Sequence, residues 1–187
     1  TDGNLTYNND FAGFGGSGFS PTPTATQIDS DDIIARGLYD ENPAVMTFGD
    51  TRVNDWAKGA TSGNSTSGGV YAFDVDSSGG INRALGGVLD GNAFTPGDFV
   101  FRVTNNTSSE ITSVQVAADL YYYSKTNGRS KMQLFYSVGN SELAFVTNDA
   151  TFASNAIAIP NATMFSADEI GSSVVLGLSV DETITVN

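Results

Sequence analysis

Bulky apolar residues alternate with small or polar residues along four short segments of the chain. These segments are 71–76, 99–103, 114–123 and 132–138. Successive side chains of a β-strand point to opposite faces, so this alternation predicts strands with one buried and one exposed face. The longest segment, 114–123, predicts a long half-buried strand.

A turn signal separates the last two of these segments. Asn127 and Gly128 favour the backbone angles of a type I′ turn, which commonly connects the two strands of a β-hairpin. The sequence therefore predicts that residues 114–138 form one hairpin.

The rest of the chain predicts further strands and no long helix. Apolar runs predict strands at 143–146 and 174–186, and residues 165–170 could form one helical turn. Residues 1–31 contain too many glycines for a helix, but their Phe residues predict that this segment packs onto the domain. Strands about ten residues apart, without a substantial amphipathic helix, predict an all-β fold, an antiparallel β-sandwich with long loops.

Length and composition favour a single domain over residues 1–187. A chain of 187 residues is within the size range of one β-sandwich. Hydrophobic residues make up 40% of the chain and 12 residues are Phe, so a sizeable core is expected despite 21 Gly.

The charge and the missing residue types exclude several functions. Lys and Arg number 8 against 21 acidic residues, which gives a net charge of −13. Such a surface repels nucleic acid and favours cations, metal ions above all. The chain has no Cys and no His, which excludes disulfides, thiolate zinc, imidazole bases and most hydrolase triads.

No segment approaches the ~18 apolar residues that span a bilayer, so direct membrane insertion is not expected. The start, Thr1-Asp2-Gly3, has neither Met nor a signal segment, and we expect a module of a longer multidomain chain. An acidic, Cys-free composition rich in Gly, Thr, Asn and Ser is typical of secreted bacterial proteins stabilised by calcium.

Residues 74–81 reproduce the first half of a calcium-binding EF-hand loop. Asp74, Asp76 and Ser78 alternate and are followed by Gly79. The twelfth position is Leu85 instead of Glu, and the preceding residues form a strand pattern, so an EF-hand is rejected. A calcium site completed from elsewhere remains open, because the two acids share a strand face and no cation is adjacent. The alternative is a solvated acidic strand edge with a glycine turn.

Asp29, Asp31 and Asp32 form a second acidic cluster before an apolar run. Three carboxylates in four residues repel one another unless solvent or a cation neutralises them. Solvated turn acids are the commoner interpretation. Arg83 and Arg129 could each hold a carboxylate, although pairing with a local acid is the better interpretation for both.

No catalytic motif is present, and no carboxylate pair is singled out for glycoside cleavage. Trp56 and Tyr121–Tyr123 could stack on a sugar, but a lone Trp and strand tyrosines are usually core residues. We therefore expect a protein that is not an enzyme.

Several phrases together resemble the peptide-binding domain of RTX adhesins, a calcium-dependent extracellular module of bacterial surface proteins. The resemblance covers roughly the first three-quarters of the chain. The phrases are Phe11-Ala12-Gly13-Phe14, Gly18-Phe19-Ser20-Pro21-Thr22-Pro23, Gln27-Ile28-Asp29-Ser30-Asp31, Gly68-Gly69-Val70-Tyr71-Ala72-Phe73-Asp74-Val75 and Asn105-Asn106-Thr107.

The resemblance implies a calcium-bearing β-sandwich on the bacterial cell surface, which serves in adhesion and biofilm formation by binding the free C-terminal end of cell-surface proteins. A bound Ca²⁺ would receive the peptide carboxylate, since an acidic module alone repels it. The candidate metal ligands are Asp29, Asp31, Asp32, Asp74, Asp76 and Ser78, and the candidate peptide-binding residues are Asp76, Gly79, Gly80, Asn82 and Arg83.

Three other functions remain open. A calcium-dependent lectin would bind vicinal sugar hydroxyls in place of the carboxylate. A structural spacer would be stiffened by calcium and bind no ligand. An enzyme such as a glycosidase ranks last.

Overall fold

The computed structural model describes residues 8–41, 45–76, 82–123, 130–139, 156–165 and 174–186. These ranges form β-strands and one short 3₁₀ turn at Asn54–Trp56, so the prediction of an all-β fold is confirmed. The strands are β1 (Phe14–Ser20), β2 (Thr26–Asp29), β3 (Ile33–Leu38), β4 (Ala60–Thr61), β5 (Gly69–Asp74), β6 (Arg83–Val88), β7 (Ala93–Phe101), β8 (Ser113–Tyr122), β9 (Lys131–Tyr136), β10 (Ile157–Phe165) and β11 (Val175–Thr185).

Most strand pairs are antiparallel, as expected. The antiparallel pairs are β3 with β7, β5 with β6, β8 with β11 and β9 with β10. Two pairs, β1 with β2 and β4 with β5, are parallel, which the expectation of an antiparallel sandwich did not include.

The first hydrophobic core lies among β1, β3, β5 and the 3₁₀ turn. Its fully buried side chains include Phe19, Ile33, Ile34, Leu38 and Met46. Burial of Phe19 in this core confirms that the glycine-rich N-terminal segment packs onto the domain. No helix in the described ranges is long and apolar enough to cross a lipid bilayer.

A glycine lets two backbone segments meet beside β1. Gly18 has φ 92°, and a Cβ there would overlap the carbonyl oxygen of Arg52. Next to it, the N–H of Phe19 donates to that oxygen at 2.9 Å, and the Arg52 N–H donates to the Phe19 oxygen at 3.0 Å. β1 is thus held between β2 and the segment at residue 52.

A second core lies between the β8–β11 ribbon and the β9–β10 ribbon. Leu120, Ile159, Met164, Val180 and Ile184 are buried there. Along β8 the burial alternates as predicted, because the even-numbered positions from 116 to 122 pack inward while 117 and 119 are exposed.

The predicted hairpin over 114–138 is wrong in its pairing. Both strands exist, but β8 pairs with β11 and β9 pairs with β10, and no β8–β9 pairing occurs in the described ranges. β8 and β11 pair from Val175 opposite Tyr122 to Thr185 opposite Ser113, with one register shift between Leu176 and Leu178. This long non-local pairing, with its buried face, outweighs the local preference of Asn127-Gly128, which lies outside the described residues.

The ring of Tyr123, the residue after β8, lies against Gly63. A single domain over residues 1–187 stays a prediction. The predicted strand at 143–146, and the helical turn beyond Phe165, lie outside the described residues. Phe165 itself ends β10.

Candidate functional site

A groove of about 310 Å³ runs between the segment before β1 and the segment that carries β2. It is near the lower limit of small-molecule pockets, about 300 Å³, and so suits a small group or a few residues of an extended chain. Its lining residues are Asn9, Asp10, Phe11, Gly13, Phe14, Pro23, Thr24, Ala25, Thr26, Gln27, Ile28 and Asp29.

The groove follows a strand with an unpaired edge. β2 pairs with β1, and no other described strand pairs with β2. Phe14 is opposite Thr26 and Ser20 is opposite Asp29, so the groove begins beside the first residue of β2 and reaches its last. The groove thus has the length of one short strand.

Aromatic and acidic side chains shape the groove. Phe11 is half-buried, packs on the first core and makes an edge-on contact with Phe101, with ring centroids 6.3 Å apart. In the part of the chain that the structure describes, Asp10 and Asp29 are the charged lining residues, and no Lys or Arg lines the groove. The groove therefore has two carboxylates and the aromatic ring of Phe11 in its lining.

Local hydrogen bonds orient both carboxylates. Asp10 Oδ1 accepts the N–H of Ala12 at 3.0 Å, and Asp29 Oδ1 accepts the N–H of Asp31 at 2.9 Å. Among the described residues, neither carboxylate forms an ion pair with Lys or Arg. Each therefore keeps oxygen lone pairs for a further partner.

The acidic loop 29–32 continues from the end of the groove. Asp31 is exposed, whereas Asp29 and Asp32 are half-buried. The N–H of Asp32 donates to the Asp29 carbonyl oxygen at 3.3 Å, which closes the turn. The three acids therefore lie on one turn, as the interpretation of turn acids has it.

Arg102 holds this loop in place by hydrogen bonds. It was not among the residues expected at the site. Its backbone N–H donates to the Asp32 carbonyl oxygen at 2.8 Å, and its guanidinium donates to the Asp31 carbonyl oxygen. The guanidinium also lies over the ring of Phe48, 4.1 Å from the centroid. The pairing of Ile33 with Phe101 brings Arg102 to the loop, and this pairing is not visible in the local sequence.

The loop contains the types of oxygen atom that calcium binds in proteins. Calcium prefers carboxylate, carbonyl and hydroxyl oxygens, usually six to eight of them. Ser30 is fully buried in the loop, and its Oγ has no hydrogen-bond partner among the described residues. In the described ranges no group of three or more acidic side chains is arranged to hold a metal. The four carbonyl oxygens of residues 29–32 already accept hydrogen bonds, so an ion here would use their second lone pairs and water.

The second candidate segment, around Asp74, is arranged differently from the expectation. Asp74 is opposite Arg83 in the β5–β6 pair, and Arg83 Nε donates to Asp74 Oδ1 at 3.2 Å. The expectation that no cation is adjacent to Asp74 is wrong, because the antiparallel pairing of β5 and β6 places Arg83 opposite it. The ordinary interpretation of Arg83, an ion pair with a local acid, is confirmed.

The remaining residues of this segment are only partly described. The Asn82 carbonyl oxygen accepts the N–H of Val75 at 3.1 Å, and Asp76 is half-buried. Ser78, Gly79 and Gly80 lie outside the described residues.

The two acidic segments lie at opposite ends of β1. Arg83 Nη1 donates to the carbonyl oxygen of Phe14 at 2.9 Å, which places the Asp74–Arg83 pair at the first residue of β1. Asp29 pairs with Ser20, the last residue of β1. β1 bulges between Phe14 and Phe19, so its two ends lie opposite the first and last residues of β2, which are only three residues apart.

The aromatic residues considered for sugar stacking pack against protein. Trp56 is 2% exposed and its Nε1 donates to the Ala35 carbonyl oxygen at 3.3 Å. Tyr122 packs on the second core, and Tyr123 lies against Gly63. Their interpretation as core or half-core residues is confirmed.

Comparison of the chain with protein-family models, with curated proteins and with solved structures finds no match.

Proposed function

We propose that this chain is a calcium-dependent binding module of a bacterial surface adhesin, which binds the free C-terminal end of target peptides in the groove beside β2. The calcium ion would bind at loop 29–32. The module is proposed to act outside the cell and without catalysis.

The observation that carries the proposal is the charge of the groove. Its charged lining residues are Asp10 and Asp29, and it continues into the acidic loop. A peptide carboxylate cannot bind beside these groups unless a cation reverses the local field. Calcium supplies two positive charges, and the donor oxygens of the loop suit it.

Loop 29–32 is preferred over the Asp74 segment as the ion site for two reasons. Asp74 is already neutralised by Arg83, whereas Asp29 forms no ion pair in the described part of the chain. The loop also contains the fully buried, unpartnered Oγ of Ser30. The RTX resemblance adds the identity of the ligand, a C-terminal carboxylate.

Two matched peptide libraries test the proposal. One peptide library carries free C-termini, and a matched library carries C-terminal amides. Binding is measured with calcium and with a chelator. We expect binding only by free C-termini in calcium, and weaker binding by the Asp31→Asn variant.

Asp40→Asn is the matched control, because Asp40 is exposed and follows the far end of β3 from the loop. It removes the same charge without changing the loop. Capture of free and amidated peptides alike, in calcium or in chelator, would refute the proposal.

A further inference from the structure

We propose that the groove beside β2 selects peptides with a basic side chain two to three residues before the C-terminus, and that Asp10 binds this side chain. This inference rests on the proposed function, since it assigns the second part of the same peptide. It follows from the position of one acidic residue at each end of the groove.

The groove has two acidic ends. Phe14 is opposite Thr26 and its N–H donates to the Phe11 carbonyl oxygen at 2.9 Å, so the turn after Asp10 lies at the start of β2. Asp29 is the last residue of β2. Three residues of strand separate Thr26 from Asp29, which corresponds to about 10 Å.

This spacing fixes the position of the selected residue. A carboxylate held at loop 29–32 places the peptide's last residue beside Asp29. An extended peptide rises about 3.3 Å per residue, so the residue near Asp10 lies two to three positions upstream.

The chemistry at the Asp10 end favours a cation. Asp10 Oδ1 accepts the Ala12 N–H, which holds the carboxylate in place, and the group is exposed. Among the described residues no Lys or Arg lines the groove, and Arg83, which reaches the Phe14 carbonyl oxygen at this end, forms its ion pair with Asp74. A neutral or acidic peptide side chain would leave it uncompensated.

The aromatic wall favours arginine over lysine. Phe11 lines the same end of the groove and is held by the first core and by Phe101. A guanidinium stacks on an aromatic ring and binds a carboxylate with two parallel N–H groups. An ammonium binds the carboxylate only as a point charge.

The test uses peptides with a free C-terminus in calcium. One peptide carries Arg two or three residues before the end, a second carries Gln there, and a third has the Gln peptide's C-terminal sequence with Arg moved seven residues upstream. The third peptide controls for general attraction to a protein of net charge −13.

We expect the first peptide to bind about fivefold more tightly than the other two, since an exposed charge pair with an aromatic contact gives an effect of this size. Asp10→Asn should remove the difference, and Asp40→Asn should preserve it. Equal binding of the three peptides to the wild-type protein would overturn the inference, as would a preference that survives Asp10→Asn.

The two proposals fail in different ways. If amidation and chelation leave binding unchanged while the Arg preference still depends on Asp10, the calcium proposal fails and the basic-residue site stands. If free C-termini and calcium are required but Arg confers no advantage, only the present inference fails. If no peptide binds, both are refuted.

Discussion

Removal of Asp98 should destabilise the first core strongly, because it takes away the carboxylate that binds both nitrogens of a buried guanidinium. Arg36 is 4% exposed and lies opposite Asp98 in the β3–β7 pair. Its Nε and Nη2 donate to the two carboxylate oxygens at 2.8 Å and 2.6 Å. This is the bidentate geometry of a strong ion pair.

The expected magnitude follows from the burial of the two partners. Loss of one partner of a buried pair costs about 3–5 kcal/mol, and the 25% exposure of Asp98 places the effect near the lower limit. We expect Asp98→Leu to lower the free energy of unfolding by about 3 kcal/mol. Replacing both residues, with Arg36→Met and Asp98→Leu, should restore most of the loss, since no charge is then buried.

Urea denaturation followed by tryptophan fluorescence measures this effect. Trp56 is the chain's one Trp and is buried in the same core as β3. Lys58→Met is the control: it removes the less buried Lys58–Asp55 pair, for which less than about 1 kcal/mol is expected. A loss below about 1 kcal/mol for Asp98→Leu, or a double variant weaker than either single variant, would refute the reasoning.

Two further predictions test the strand pairing and the pH dependence. Asp119 and Ser179 are opposite each other, so the double variant Asp119→Cys with Ser179→Cys should form a disulfide. A hairpin would instead place residue 119 opposite residue 136, and the double variant Asp119→Cys with Tyr136→Cys should form none. Mass spectrometry after mild oxidation distinguishes the two variants. The pKa of Tyr39 is raised from 10.0, first by burial and then by the charge of Asp98. The stability that comes from this raised pKa is present below pH 10 and is lost as the pH rises through the folded-state pKa. Urea denaturation at a series of pH values should therefore show a free energy of unfolding that falls above pH 10. This fall should be smaller in Tyr39→Phe.

Local alternation predicted individual strands well because burial imposes a period of two on the sequence. In β8, Val116, Ala118 and Leu120 pack inward, as the pattern indicates. The same pattern cannot choose a partner strand, since β9 and β11 offer β8 similar apolar faces. The Asn-Gly signal favoured β9, the strand that follows β8 in the sequence. The long pairing of β8 with β11 outweighs that local signal.

The candidate site shows the same limit. The clustering of Asp29 and Asp31 was predictable because it depends on one turn. The Arg83 partner of Asp74 was within reach of the sequence, since two glycines between them indicate a hairpin turn. Arg102 was not, because it reaches the acidic loop only through pairing of β3 with β7.

Isothermal titration of calcium into the free protein tests the central claim most directly. The account predicts a saturable calcium site that Asp31→Asn weakens and that Asp40→Asn leaves intact. A flat titration of the wild-type protein, or equal calcium affinity in the wild type and Asp31→Asn, would contradict it.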